Sequence, residues 1–243
     1  MGRTLCKLAK NSLSESLSLP LVAGGFVFYT EFTGKKDQGN TIRTTLDTNL
    51  QQAAYDALGR NKGAIVVMEP DTGKILSMVS KPAYDPNTIL EDWEELNQNT
   101  EGILVNRATQ GQYAPGSTFK VVTSLAYMRQ NPDYKNYSYR CRGEIKAGKN
   151  EIHCYDGEVH GKVDLADSLA YSCNTSFSNI GLSLDYKGFK QTAEDLLFDS
   201  KLPCPILYNK SKFNLKEDDG DAATAMTAFG QGKLQVSPYH MAL

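Results

Sequence analysis

Two short apolar runs do most to limit the fold of this chain. Ala64-Ile65-Val66-Val67-Met68 is rich in β-branched residues, and Lys74-Ile75-Leu76-Ser77-Met78-Val79 follows it across Pro70-Asp71-Thr72-Gly73. Turn chemistry between two such runs predicts an antiparallel hairpin. Upstream, Thr45-Leu46-Asp47-Thr48 offers capping residues. Leu50, Ala53, Ala54, Ala57 and Leu58 then recur at helical spacing, and Gly59 closes that helix. Further helices are expected after Ser117, around Leu165 to Tyr171, from Thr175 to Leu184 and from Phe189 to Leu197. Residues Lys81 to Asn106 hold two prolines and several acids around Trp93, and read as an irregular connection with Trp93 a structural wedge. Strands joined to a central helical stretch predict a mixed α/β (α+β) domain.

Composition closes off other classes. Apolar residues make up 40% and charged residues 22%, which excludes wholesale disorder. The net charge of −2 carries no bulk attraction to nucleic acid. No run reaches the ~17 to 25 apolar residues of an ordinary membrane span. Five cysteines at no regular spacing do not make a disulfide scaffold. At the N-terminus, Arg3, Lys7 and Lys10 precede an apolar run from Leu17 to Tyr29 that Pro20, Gly24 and Gly25 interrupt. That order has signal-peptide grammar, yet Glu15 and several serines intervene and no A-x-A site follows. Residues 1–40 therefore read either as a degenerate export or anchor segment or as a tail or remnant of an upstream module. The polar stretch Gly34 to Asn40 sets the boundary, and the main domain runs from 41 to 243.

The sharpest chemical signal is Tyr113-Ala114-Pro115-Gly116-Ser117-Thr118-Phe119-Lys120. Pro-Gly favours a turn, so Ser117 falls where a helix begins. Ser117 and Lys120, three residues apart, then share a face. A serine hydroxyl is a poor nucleophile without a base within hydrogen-bond reach, and a lysine serves if burial lowers its pKa. A helix start also aims backbone N–H groups at a developing oxyanion. Taken alone, the pair is as readily a capping serine with a surface lysine. A second segment, Tyr171-Ser172-Cys173-Asn174-Thr175, puts Ser172 and Asn174 on one side of an extended backbone. Alone, it reads as a helix cap.

Together the two segments change the weighing. S-x-x-K followed by S-x-N is part of the signature of penicillin-binding proteins and class A β-lactamases. Asn106-Arg107-Ala108, the Glu69 to Met78 hairpin and His160-Gly161 also resemble the transpeptidase domain of penicillin-binding proteins. So does Phe229-Gly230-Gln231-Gly232 with Val236-Ser237-Pro238. The resemblance runs from about Thr41 to Leu243. It implies an antiparallel sheet flanked by helices, plus a helical subdomain. It also implies that Ser117 is the acylated nucleophile and Lys120 its proton partner. Ser172 and Asn174 would relay protons and position substrate. The implied reaction is D,D-transpeptidation of peptidoglycan stem peptides ending in D-Ala-D-Ala, with β-lactams acylating the same serine. No cofactor, metal or nucleic acid enters that chemistry. Location at the outer face of the cytoplasmic membrane follows, with possible association with the membrane and with cell-wall synthesis proteins.

One departure stands out. No lysine here is followed by Thr-Gly or Ser-Gly, and the sequence runs only eleven residues past Gly232. The resemblance places the third motif beyond that point, so the expectation is a fold whose C-terminal strands and helix are missing. Two other readings follow: a non-catalytic penicillin-binding or sensor module, and a β-lactam hydrolase. The hydrolase is disfavoured, because Glu94-Glu95-Leu96-Asn97 has the wrong spacing and position for E-x-x-L-N. Cys141, His153, Cys154 and His160 match no zinc spacing, so no metal is expected. A minor alternative has Cys141 and Cys154 facing each other across a hairpin, and the sequence leaves their oxidation state open. Cys173 reads as packed, and Lys210, Lys212 and Lys216 as a solvated face.

Overall fold

The computed structural model describes residues 42–243. The export, anchor or remnant segment expected over 1–40 lies outside the described residues. The described chain gathers into two compact units. One extends to Gln110 and includes Pro203–Tyr208 and Ala242–Leu243; the other comprises Gly111–Leu202 and Asn209–Met241.

In the first unit, helix α1 (Thr48–Ala57) starts at Asp47, whose carboxylate accepts from the N–H groups of Asn49 (2.8 Å) and Leu50 (2.9 Å). That satisfies two donors a helix start leaves open. Strands β1 (Gly63–Met68) and β2 (Ile75–Lys81) form the expected antiparallel hairpin, with Ala64 opposite Ser80 and a bulge between Val67 and Met68. Gly73 takes φ +68° in the turn, where a side chain is strained. Gln51 on α1 clamps β2, donating from Nε2 to the Met78 carbonyl and accepting the Met78 N–H, both at 2.8 Å. The connection read as irregular contains a short helix, α2 (Trp93–Gln98). Leu96, not Trp93, is the side chain it buries. Trp93 is half exposed, so it is no wedge.

The second unit begins with a 3-10 turn, Gly116–Phe119, running directly into α3 (Lys120–Gln130). Four short strands follow: β3 (Tyr139–Cys141), β4 (Glu144–Ala147), β5 (Asn150–His153) and β6 (Gly161–Val163). β4 and β5 form a hairpin around Gly148-Lys149, and β3 pairs antiparallel with β6. Helix α4 (Leu165–Ala170) opens with a capping box between Asp164 and Asp167. Helix α5 (Asn174–Ser183) starts one residue before its expected position. Helix α6 (Tyr186–Asp195) starts three residues early, because Asp185 caps it through the Gly188 N–H at 2.8 Å. Helices α7 (Asp221–Ala228) and α8 (Pro238–Ala242) complete the order.

The core of this unit is aromatic and sits beneath the Ser117 turn. Phe119 is fully buried, and its ring centroid lies 5.5 Å from Phe198, 6.1 Å from Phe189 and 6.3 Å from Phe213. Leu215, Leu234 and Val236 pack into the same cluster. Burying Phe119 contributes about 2–3 kcal/mol by transfer alone, and fixes the residue between Ser117 and Lys120. Over 210–216 the exposed Lys210, Lys212 and Lys216 alternate with buried Ser211, Phe213 and Leu215. The lysines form a solvated face, and the alternation marks an extended segment whose Lys212 pairs with Gln235.

Candidate active site

Ser117 and Lys120 meet because of the 3-10 turn, in which residues three apart eclipse one another. Lys120 Nζ lies 3.2 Å from Ser117 Oγ. The same Nζ is 2.8 Å from Ser172 Oγ, 2.6 Å from the Ser172 carbonyl and 2.8 Å from Asn174 Oδ1. Ser172 Oγ in turn donates to Ser117 Oγ at 2.9 Å. All four sequence-selected residues, Ser117, Lys120, Ser172 and Asn174, thus form one hydrogen-bonded cluster.

The route to this convergence differs from the expected one. Ser172 and Asn174 were to meet along an extended backbone, but Ser172 adopts φ +51°, in the left-handed region. Non-glycine residues pay for that conformation and hold it where surrounding contacts over-determine it. Here the carbonyl of Ser172 must turn onto Lys120 while its hydroxyl reaches Ser117. Neither Ser172 nor Asn174 caps α5. That place belongs to Cys173, whose Sγ accepts the Ser176 N–H at 3.4 Å.

Lys120 is fully buried, while Ser117 and Ser172 are exposed at the surface of a cleft. Among the described residues the lysine's hydrogen-bond partners are hydroxyl, carbonyl and amide oxygens, none of them a carboxylate. Burial, only partly offset by the neighbouring Cys173 and Cys154 side chains, brings its pKa down to about 8. On the order of a tenth of the lysine is then neutral at pH 7, against a negligible share for an ordinary lysine. The cleft has a volume of about 410 Å³ and is lined by Ser117, Ser172 and Asn174 with Tyr155, Tyr171 and Phe229 among others. It brings a hydroxyl with a buried amine beside it, an amide and aromatic walls to one concave surface.

The Ser117 turn is braced from the other side by the Phe229 to Val236 segment. The Gly116 N–H donates to the Gly230 carbonyl at 2.9 Å, and Tyr113 and Val236 exchange both backbone hydrogen bonds at 2.9 Å. Gly116 and Gly230 both hold positive φ (+61° and +83°).

A family model for the penicillin binding protein transpeptidase domain matches residues 63–243. The chain belongs to that family. Peptidoglycan D,D-transpeptidase PbpA of Mycobacterium tuberculosis (strain H37Rv) is 32% identical over 225 residues, which covers 85% of this chain and 45% of PbpA. Penicillin-binding protein 3 of Bacillus subtilis is 28% identical over 233 residues, 90% of this chain and 35% of that protein. Among solved structures, the imipenem acyl-enzyme complex of penicillin-binding protein A from M. tuberculosis superposes with a TM-score of 0.77 at 30% identity, covering 89% of this chain and 53% of the other. The chain spans less than half the length of these two curated relatives. The fold is therefore the α/β fold of the penicillin-binding transpeptidase domain.

Within that transpeptidase fold, one group of residues was assembled differently by sequence reasoning. Cys141 ends β3 and Cys154 follows β5, so they face each other beyond the hairpin, not across it, with Sγ atoms 3.7 Å apart and no disulfide. Cys173 joins them, its Sγ 3.7 Å from that of Cys154. His160 Nδ1 lies 3.4 Å from Cys141 Sγ. His153, grouped with them in the sequence, is exposed; its ring meets the Glu151 carboxylate at 3.5 Å and its carbonyl accepts from Asn174 Nδ2 at 3.2 Å. Burial pushes the Cys141 thiol up, but hydrogen bonds from Thr175, His160 and the Gly143 N–H outweigh it and bring it down to about 6. Burial carries Cys173 up to about 12. No local spacing links Cys173 to the others, so only its place between Ser172 and Asn174 could have drawn attention to it.

Proposed function

We propose that this chain is a serine D,D-transpeptidase domain, acylated at Ser117 by peptidoglycan stem peptides and by β-lactams. The observation that carries the reading is the contact between buried Lys120 and Ser117 Oγ at 3.2 Å. Neutral Lys120 accepts the Ser117 proton as Oγ attacks the carbonyl carbon of the penultimate D-alanine. The backbone N–H of Ser117, in the first turn of its helix, faces the developing oxyanion. The proton then passes from Lys120 through Ser172 Oγ, 2.8 Å away, to the leaving amine of the terminal D-alanine. The C–N bond breaks and a Ser117 ester remains. An amine of a second stem peptide attacks that ester, and Oγ recovers its proton through the same groups. Asn174, bonded to Lys120 through Oδ1, holds the lysine in register; its Nδ2 gives one hydrogen to the His153 carbonyl and has a second for the substrate backbone.

The name of PbpA, a peptidoglycan D,D-transpeptidase, and the acyl-enzyme complexes of penicillin-binding protein A support this assignment. The family match over 63–243 spans both compact units, so we read residues 41–243 as one transpeptidase domain. A stem-peptide substrate puts the working site on the cell-wall side of the cytoplasmic membrane. Among the described residues no helix is long and apolar enough to cross a membrane. The third motif is not found in these 243 residues, so the four named residues account for activation, attack and proton delivery and not for anchoring of the substrate carboxylate. Incubation with fluorescent penicillin, followed by peptide mapping, tests the reading. The label is expected on Ser117; label on another residue, or none, contradicts it.

A further inference from the structure

The loop that carries Ser172 runs from α4 to α5, and two serines face each other across it. Ser168 and Ser176 are fully buried, with their Oγ atoms 2.7 Å apart. Ser168 Oγ donates to the Asp164 carbonyl, which can only accept, so the single hydroxyl proton of Ser168 is engaged there. Ser176 Oγ is therefore the donor between the two serines. Tyr137 Oη lies 2.9 Å from Ser176 Oγ and 3.2 Å from the Ser176 carbonyl, and Asn179 Nδ2 donates to Tyr137 Oη at 3.3 Å. The protons thus all run one way, from Asn179 through Tyr137, Ser176 and Ser168 to the Asp164 carbonyl. We propose that Ser168, Ser176 and Tyr137 are positioning residues, a buried hydroxyl clamp that closes the Ser172 loop and seats Ser172 on Lys120.

The clamp reaches both partners of that contact. On the Ser172 side, the Cys173 N–H donates to the Ser168 carbonyl at 2.9 Å and the Ser172 N–H to the Leu169 carbonyl at 3.0 Å. The loop backbone therefore hangs from the residue that Ser176 holds, at the point where Ser172 takes φ +51°. A strained residue keeps such a conformation only where its surroundings over-determine it. On the Lys120 side, Tyr137 follows the 3-10 turn Tyr134–Asn136, and its ring meets that of Tyr127 edge to face, with centroids 5.3 Å apart. Tyr127 lies about two turns beyond Lys120 on α3. Burial raises the Tyr137 phenol above its ordinary range, partly offset by its bonds to Ser176 and Asn179, so the hydroxyl stays a donor.

Breaking the Ser168–Ser176 bond frees the two ends of the loop from each other and leaves a buried hydroxyl proton without its acceptor. The atoms that then lose their place are the Ser172 carbonyl, 2.6 Å from Lys120 Nζ, and Ser172 Oγ, 2.8 Å from it. Misplacing a reacting group by about 1 Å slows a reaction by about a hundredfold. None of the three clamp residues is among the described residues lining the cleft, so they act through Ser172. The kinetic consequence rests on the acylation reading; the fixing of the loop does not.

Ser168→Ala in the full chain tests the clamp. The comparison is Ser178→Ala, a buried serine of α5 outside the clamp, whose Oγ meets the Ala225 carbonyl. Penicillin acylation should slow by at least about tenfold in Ser168→Ala and by under about threefold in Ser178→Ala. In a Ser172→Ala background the Ser168 substitution should slow it by under about threefold, because the hydroxyl it positions is gone, whereas a merely structural loss would multiply through unchanged. Equal losses in the two backgrounds would overturn the proposal. Hydrogen exchange over the peptide from Ser168 to Ser176 needs no acylation: the Ser172 and Cys173 amides should exchange at least about tenfold faster in Ser168→Ala. A parent that takes no penicillin contradicts the Ser117 assignment, and exchange then decides the clamp; unchanged exchange overturns the clamp however penicillin behaves. Circular dichroism checks the fold. If Ser168→Ala does not fold, Tyr137→Phe, which keeps the ring against Tyr127 and removes only the hydroxyl, carries both measurements with the same expectations.

Discussion

Gly230 approaches Gly116 so closely that a Cβ on Gly230 would stand 1.8 Å from the Gly116 carbonyl oxygen. The glycine is therefore needed both for its φ of +83° and for space, and it seats the turn that presents Ser117. We predict that Gly230→Ala pushes the turn aside and slows penicillin acylation by about a hundredfold, the cost of misplacing a reacting group by roughly 1 Å. Gly232→Ala is the comparison. Its φ is also positive, but its Cβ would meet Met226 Cβ at 3.7 Å and Thr227 Oγ1 at 3.9 Å, both ordinary contacts. Stopped-flow acylation rates should fall far more for position 230 than for 232. Equal losses would mean that strain, and not the approach to Gly116, sets the effect.

The buried lysine predicts a pH dependence. Its ordinary pKa near 10.5 falls to about 8, chiefly through burial. The reactive form is the neutral one, so acylation should rise with pH, about tenfold per unit well below 8, and level off above it. Second-order rates of penicillin acylation between about pH 6 and about pH 9 measure this. A flat profile would remove Lys120 as the base.

Asn174→Asp extends that test. The Oδ1 atom 2.8 Å from Lys120 Nζ would become part of a carboxylate, and an adjacent opposite charge favours the protonated lysine. The midpoint of the acylation profile should move above 8 and the rate at pH 7 should fall. Asn174→Ala, which removes one well-placed polar partner, should slow acylation about ten- to a hundredfold without moving the label from Ser117. An unshifted midpoint in the aspartate variant would show that residue 174 does not sense the lysine.

Helix packing gives a stability prediction. A Cβ on Gly181 in α5 would lie 2.4 Å from Ala228 Cβ in α7. Alanine is the better helix former by about 1 kcal/mol, but overpacking costs about 1–3 kcal/mol. Gly181→Ala should therefore destabilise in urea denaturation, and adding Ala228→Gly should relieve the clash. No recovery in the double variant would show that the two helices do not meet at this pair.

Much of this was legible from residue pattern. The hairpin announced itself through β-branched runs about Pro70-Asp71-Thr72-Gly73, and Ser117 and Lys120 through a turn and a three-residue interval. What was not legible depends on tertiary contacts. The left-handed Ser172 is set by Lys120, more than fifty residues away, and no local preference foretells it. The early start of α6 was signalled by Asp185, but Gly188 in its first turn masked the helix. Cys173 meets Cys141 and Cys154 only after β3 and β6 pair and α5 folds back, so spacing alone grouped His153 as well as His160 with them and left Cys173 out. Phe213 and Leu215 were hidden among lysines whose alternation was read only as charge.

The central claim is that Ser117 and Lys120 act as one unit, joined at 3.2 Å. Intact-protein mass spectrometry after incubation with penicillin measures it directly in the parent, Ser117→Ala, Lys120→Ala and the double variant. The parent should gain one penicilloyl mass, each single variant should lose it, and the double variant should lose little more than either single one, since residues that work together are grossly non-additive. Acylation persisting in Ser117→Ala, or losses that multiply in the double variant, would contradict the account.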